Sequence, residues 1–177
     1  MKTVHLVAML AALASSLIAA SSASAPPTPG LKFLARLEVR LGPLASTGAT
    51  SEGERRIIPI VGGTVSGPRL QGEILGVGAD WQWVRPDGTA VLDAQYAFRT
   101  SDGAIVMVHN RGLRYLPDSA KAVLPPGEPV PPHVLYFRAT PRFETGDPRY
   151  AWLNRVIAVC SGIRLPDRVV LDFYEVQ

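Results

Sequence analysis

The sequence is short of the groups that most often carry metal or nucleophilic chemistry. It has one cysteine, Cys160, so no disulfide can form within the chain. That thiol sits in "RVIAVCSG", the setting of a buried packing residue rather than a nucleophile. Of the three histidines, His5 falls in an apolar leader, which leaves His109 and His133. With no H-x-H or C-x-x-C pair and with dispersed carboxylates, no metal site is expected. A G-x-S-x-G elbow, a P-loop and a dinucleotide fingerprint are all missing; "GGTVSG" and "GVGAD" carry glycines without the strand-to-helix context such loops need, so no cofactor is expected. Basic residues such as Arg36, Arg40, Arg85 and Arg99 alternate with acids instead of clustering, which argues against a nucleic-acid partner. No window sustains a helical period.

What the chain does have is punctuation. Sixteen glycines and sixteen prolines separate short apolar runs at intervals of about ten residues, the pattern of an all-β sandwich or barrel. Ahead of these runs, Lys2 and His5 precede the apolar stretch Leu6 to Ile18 and the small residues "AASSASA", which reads as a signal peptide over residues 1–25. The stretch is shorter than the roughly 20 residues a membrane span needs. Cleavage is expected after Ala23 or Ala25, giving a periplasmic or secreted protein with no stable membrane anchor. Its loss removes one base, Lys2, of the 18 and none of the 15 acids, for a net charge of +2. Residues 31–177 are then one domain.

In "LKFLARLEVRL", Phe33, Ala35, Leu37, Val39 and Leu41 alternate with Lys32, Arg36, Glu38 and Arg40, a half-buried strand. "LASTGATSEGE" reads as a polar loop, "RRIIPIVGGTVSG" as a short strand ended by Gly62 and Gly63, and "LPDSAKAVLPPGEPVPPH" as a proline-rich excursion over one barrel end. "GDPRYAWLN" reads as a turn followed by a short helical or irregular piece. The strongest local signals are Asp87-Gly88 and Asp102-Gly103, each suited to a two-residue type I′ hairpin turn. That register sets Gln82 opposite Asp93, Asp80 opposite Gln95 and Gln95 opposite Asn110. One face collects Asp80, Gln82, Asp93, Gln95 and Asn110; the other collects Trp81, Trp83, Tyr96, Phe98, Met107 and His109. Patterning alone puts the aromatic face inside. A one-residue bulge would exchange the faces locally.

The motifs "PIVGGTVSGPRLQG", "GADWQ", "DGTAVLDAQY", "TSDG", "NRG", "YFRATPRFET" and "YAWLN" follow in order within a match that covers roughly Phe33 to Val176. They resemble the family known as domain of unknown function 3237, whose pattern includes G-A-D-W-Q, D-G-x-x-x-L-D-A-R-Y and Y-F-R-x-x-P-x-F-E-T. The resemblance implies a single-domain antiparallel β-barrel of lipocalin-like appearance with a pocket inside, and it implies no defined reaction. Gln95 departs from the pattern, which has Arg there, and so does the leader.

Because the family pattern spans both faces, it favours the polar face as the lining of a cavity that takes a small apolar or aromatic oxygenated molecule. Asp80 and Asp93, one diagonal apart in that register, would then work as an acid beside a base in an isomerisation, hydration or elimination. Gln82, Gln95, Asn110, Tyr136, Arg138, Glu144, Trp152 and Asn154 are the candidate ligand-binding residues, with Arg138 suited to an anionic or carbonyl oxygen and Trp152 to an apolar wall. The same cavity would serve a non-catalytic binding protein. An exposed aromatic face would instead join two copies as a homodimer.

Overall fold

The computed structural model describes residues 25–123 and 130–177; the signal peptide expected over residues 1–25 lies almost wholly outside them. Ten strands run in chain order: β1 Leu31–Leu41, β2 Ala45–Thr50, β3 Gly53–Ser66, β4 Gln71–Ile74, β5 Ala79–Val84, β6 Ala90–Thr100, β7 Ile105–Tyr115, β8 Tyr136–Glu144, β9 Ala158–Arg164 and β10 Arg168–Val176. They form one antiparallel sheet that closes on itself. β1 pairs with β10, followed by β9, β8, β7 and β6; β6 then pairs with β5 and β4, which pair in turn with the two halves of β3, and β3 returns to β1. Closure leaves the barrel wall no free edge.

The period of two in each strand decides what fills the interior. Leu37 and Val39 of β1, Ile58 and Ile60 of β3, Phe98 of β6, Val106 and Val108 of β7, Phe143 of β8 and Phe173 of β10 are all buried. Phe143 and Phe173 meet edge to face at 5.8 Å. A bulge between Phe33 and Ala35 turns both Leu34 and Ala35 inward, so Phe33, expected on the buried face, lies outside against Tyr174.

Gly62 and Gly63 do not end β3. At positive φ they bend it, and Gly63 lies so close to the Glu38 carbonyl that a Cβ there would stand 2.0 Å from it. The bend lets one strand pair with β5 before it and β4 after it. The expected polar loop at residues 44–54 is largely β2, folded back on β3 outside the barrel.

One end of the barrel is plugged. The 3₁₀ segment Pro148–Arg155, in the expected short helical piece, buries Leu153 among the core side chains. It is pinned to the β6–β7 turn by Arg149 on Asp102 at 2.9 Å and by the Tyr150 hydroxyl donating to Asp102 at 3.0 Å. At the other end β7 runs out into the proline-rich excursion, whose described parts include the short helix α1 Asp118–Lys121 and a 3₁₀ turn at Pro132–Val134.

Both hairpin turns are one residue longer than expected. Arg85 N–H donates to the Thr89 carbonyl and Gly88 N–H to the Arg85 carbonyl; Thr100, Gly103 and Ala104 repeat the arrangement. Only the glycines have positive φ, +83° at Gly88 and +96° at Gly103, whereas a type I′ turn would need it at Asp87 and Asp102 too. These are three-residue loops, each a type I turn closed by a glycine bulge. The register shifts by one: Asp80 lies opposite Ala94, Gln95 opposite His109, and Ala94 opposite Asn110.

Candidate active site in the barrel interior

That shift sorts the polar residues. Strand alternation from the buried Ile58 and Ile60 carries Arg56 inward, and Arg56 pairs with Gln82 across β3 and β5. β5 therefore sends Asp80 and Gln82 inward and leaves Trp81 54% exposed. β6 sends Leu92, Ala94, Tyr96 and Phe98 inward, while Asp93 and Gln95 point outward. β7 contributes Asn110 and Arg114, and β9 contributes Cys160 and Arg164. Three of the five residues expected on the polar face, Asp80, Gln82 and Asn110, thus line the interior. The aromatic face splits the same way: Tyr96 and Phe98 go in, Trp81 and His109 stay out.

The result is a hollow in the half of the barrel away from the 3₁₀ plug. Asp80, Gln82, Tyr96, Asn110, Arg114 and Arg164 line it among Leu41, Ile58, Leu92, Phe137 and Val169. Its free volume is about 30 Å³, enough for a water or two.

Asp80 is at the centre. Its Oδ2 accepts from Gln82 Nε2 at 2.6 Å and its Oδ1 from the Asp93 backbone N–H at 3.0 Å. This second bond replaces a rung of the sheet, since the β5–β6 pairing lapses between Asp80–Ala94 and Trp83–Val91. Burial raises the Asp80 pKa, against the two hydrogen bonds and the Arg114 charge, which lower it. Burial likewise lifts the Tyr96 hydroxyl well above its ordinary value, and it pushes the Cys160 thiol up to about 12, which keeps that group a thiol. Arg114 is depressed first by burial and then by the Arg164 charge beside it.

Three polar atoms of the hollow have no hydrogen-bond partner among the described residues: Gln82 Oε1, Asn110 Oδ1 and the Tyr96 hydroxyl. Their residues are 3%, 4% and 1% exposed. Leaving such a group unpaired costs about 1–3 kcal/mol, so the three atoms around this hollow call for a polar partner there, which a water can supply.

The other expected site residues lie elsewhere. Asp93 faces outward and meets His109 Nε2 at 2.5 Å, with Arg111 at 3.8 Å. Its side chain and that of Asp80 are on opposite sides of the wall, so they form no carboxyl pair. Tyr136, Arg138 and Glu144 alternate with the buried Phe137, Ala139 and Phe143 and therefore face out. Tyr136 and Arg138 line a separate groove of about 630 Å³ on the outer surface. Trp152 stacks under the Arg69 guanidinium at 3.6 Å, and Asn154 exchanges two hydrogen bonds with the Thr145 backbone, so both belong to the plug. Reading the sequence missed Tyr96, Arg114 and Arg164. Strand parity with Asn110 and Cys160 was the available signal for the two arginines.

Comparison with known proteins agrees with this architecture. The chain is 47% identical over 150 residues to a UPF0311 protein of Rhodopseudomonas palustris, covering 85% of this chain and 98% of the relative. A solved β-barrel-like protein of Acinetobacter baumannii superposes with a TM-score of 0.80 at 41% identity, over 86% of this chain and 99% of the other. More distant is a protein of Penicillium herquei named as a hydroalkoxylation enzyme, 27% identical over 178 residues and matched along the whole of both chains. The model of the protein-of-unknown-function family DUF3237 matches residues 29–176, and the chain belongs to that family.

Proposed function

We propose that the hollow is a cofactor-independent acid/base site that adds a hydroxyl across a carbon–carbon double bond of a small oxygenated molecule, or catalyses the reverse elimination. The observation that carries this reading is the partly buried Asp80 carboxyl beside three unpartnered polar atoms. The name of the Penicillium herquei relative supports it, since hydroalkoxylation is an addition of this kind.

The chemistry balances on one carboxyl. An O–H bond and a C=C π bond break while a C–O and a C–H bond form. Asp80 in its acid form gives its proton to carbon, and the resulting carboxylate takes the proton from the hydroxyl as that oxygen bonds to the neighbouring carbon. A raised pKa keeps the acid form populated closer to neutral pH. Gln82 orients the carboxyl, and Gln82 Oε1 and Asn110 Oδ1 are free to accept from the substrate hydroxyl. A ring-sized substrate needs more than the present free volume, so its entry requires lining side chains such as Arg114 and Arg164 to move aside.

The test is turnover of a panel of aromatic hydroxyalkenes in D2O, read as ether carrying one carbon-bound deuterium. Asp80→Asn is expected to lower the rate about 10²- to 10⁴-fold with the fold intact. A variant as fast as the wild type would remove Asp80 from the reaction. Binding of panel members without conversion would favour the same hollow as a non-catalytic binding site.

A further inference from the structure

The charge around the hollow is one-sided. Arg56, Arg114 and Arg164 come from three different strands and all point inward. Arg56 is balanced by Glu54 at 2.5 Å. Arg164 Nη1 donates to the backbone carbonyls of Leu165, Pro166 and Arg168. For Arg114 the described residues offer no carboxylate partner, only the Phe137 ring at 6.0 Å. Among the described residues the acid that lines the hollow itself is Asp80, already bonded to Gln82 and to the Asp93 amide. Two partly buried guanidiniums facing one carboxyl leave positive charge uncompensated.

The opposite need is seen deeper in. Gln82 Oε1 and Asn110 Oδ1 are acceptors, and an acceptor is satisfied by an O–H or N–H of the guest. A guest that satisfies the whole lining therefore carries a negative oxygen at one end and a hydroxyl at the other.

Resting on the reading of the hollow as the reaction site, we infer that its substrate is a small hydroxylated oxyanion, a carboxylate or an ionised enol or phenol, with the charged oxygen held between Arg114 and Arg164 and the neutral hydroxyl donating to Gln82 or Asn110. The anion neutralises the mouth, and its charge beside Asp80 favours the protonated carboxyl that the addition requires.

The probes are 4-hydroxybenzoate and its neutral counterpart 4-hydroxybenzamide, titrated into the isotope-labelled protein while the side-chain amide signals of Gln82 and Asn110 are followed. The expected result is movement of both signals, with the benzoate bound at least about tenfold more tightly than the amide. Arg164→Gln and Arg114→Gln should each remove most of that preference, and Arg114→Lys should keep part of it. Equal affinity for the two probes, both moving the interior signals, would overturn the anion inference and leave the interior site standing. Shifts confined to Tyr136 and Arg138 in the outer groove, or no binding of either probe, would overturn both.

Discussion

Asp80 is a residue whose placement works against stability. The groups facing it are Gln82 on its own strand, the Asp93 amide and Tyr96 from β6, Arg114 from β7 and Arg164 from β9. The balance among them raises its folded pKa above the ordinary 3.8. Where the folded chain holds this proton and the unfolded chain has released it, stability falls as pH rises. The contribution of Asp80 is fully present below the unfolded value and is lost as pH climbs through the folded one. Asp80→Asn cannot titrate, so urea unfolding of the two proteins should show the variant gaining on the wild type across that window and the gap levelling above it. Parallel pH profiles would mean the carboxyl is not perturbed. Groups such as Asp87, Asp102 and Asp147, held below their ordinary values, slope the other way and cancel in the comparison. Asp80 and Gln82 were legible because "GADWQ" marked them and alternation placed them on one face. Alternation alone groups Tyr96 with Trp81, because its sidedness depends on a register that no single residue reveals.

The decisive elements are the two three-residue loops. Asp-Gly dipeptides announce a hairpin, and both hairpins are there; the turn type was the illegible part. Pro86 held the missing signal, since proline at the second position of a turn presets φ for type I and leaves Gly88 to supply the bulge. In the second loop the Thr100 hydroxyl does comparable work, donating to Asp102 at 2.6 Å and accepting from the Ala104 amide at 2.8 Å. One extra residue in each loop moved Asp93 and Gln95 from the interior to the surface. At Gly103 an added Cβ would meet open space, so Gly103→Ala tests backbone strain alone. It should cost about 1 kcal/mol, read as a lower urea midpoint with an unchanged m-value. Gly30→Ala, also in open space but without positive φ, is the matched control and should be neutral.

For the whole molecule, alternation and turn spacing made an all-β closed sheet legible, and the ordered motifs narrowed it to this barrel. How β3 serves two partners was hidden, because it follows from a bend at Gly62 and Gly63 that reads in sequence as a stop. The barrel begins at Leu31, and residues 25–30 are exposed. A chain begun at Pro26 is therefore expected to melt at the temperature of the full-length protein. Expressed from its first residue in a Gram-negative host, the protein should appear in the periplasm with a mass starting at Ser24 or Pro26. Retention of Met1 or Lys2 in the cell interior would refute export.

The stitch between Asp80 Oδ1 and the Asp93 amide ties chemistry to masonry. A carboxylate grips an N–H harder than a neutral acid does, so every proton that Asp80 takes up or surrenders slackens or tightens the same point of the wall. Asp93 turns its own side chain from that point to His109 on the far side. If the proposed reaction runs on Asp80, its protonation cycle reaches the exterior by this route, and a spectroscopic label near His109 is expected to report turnover without touching the chamber.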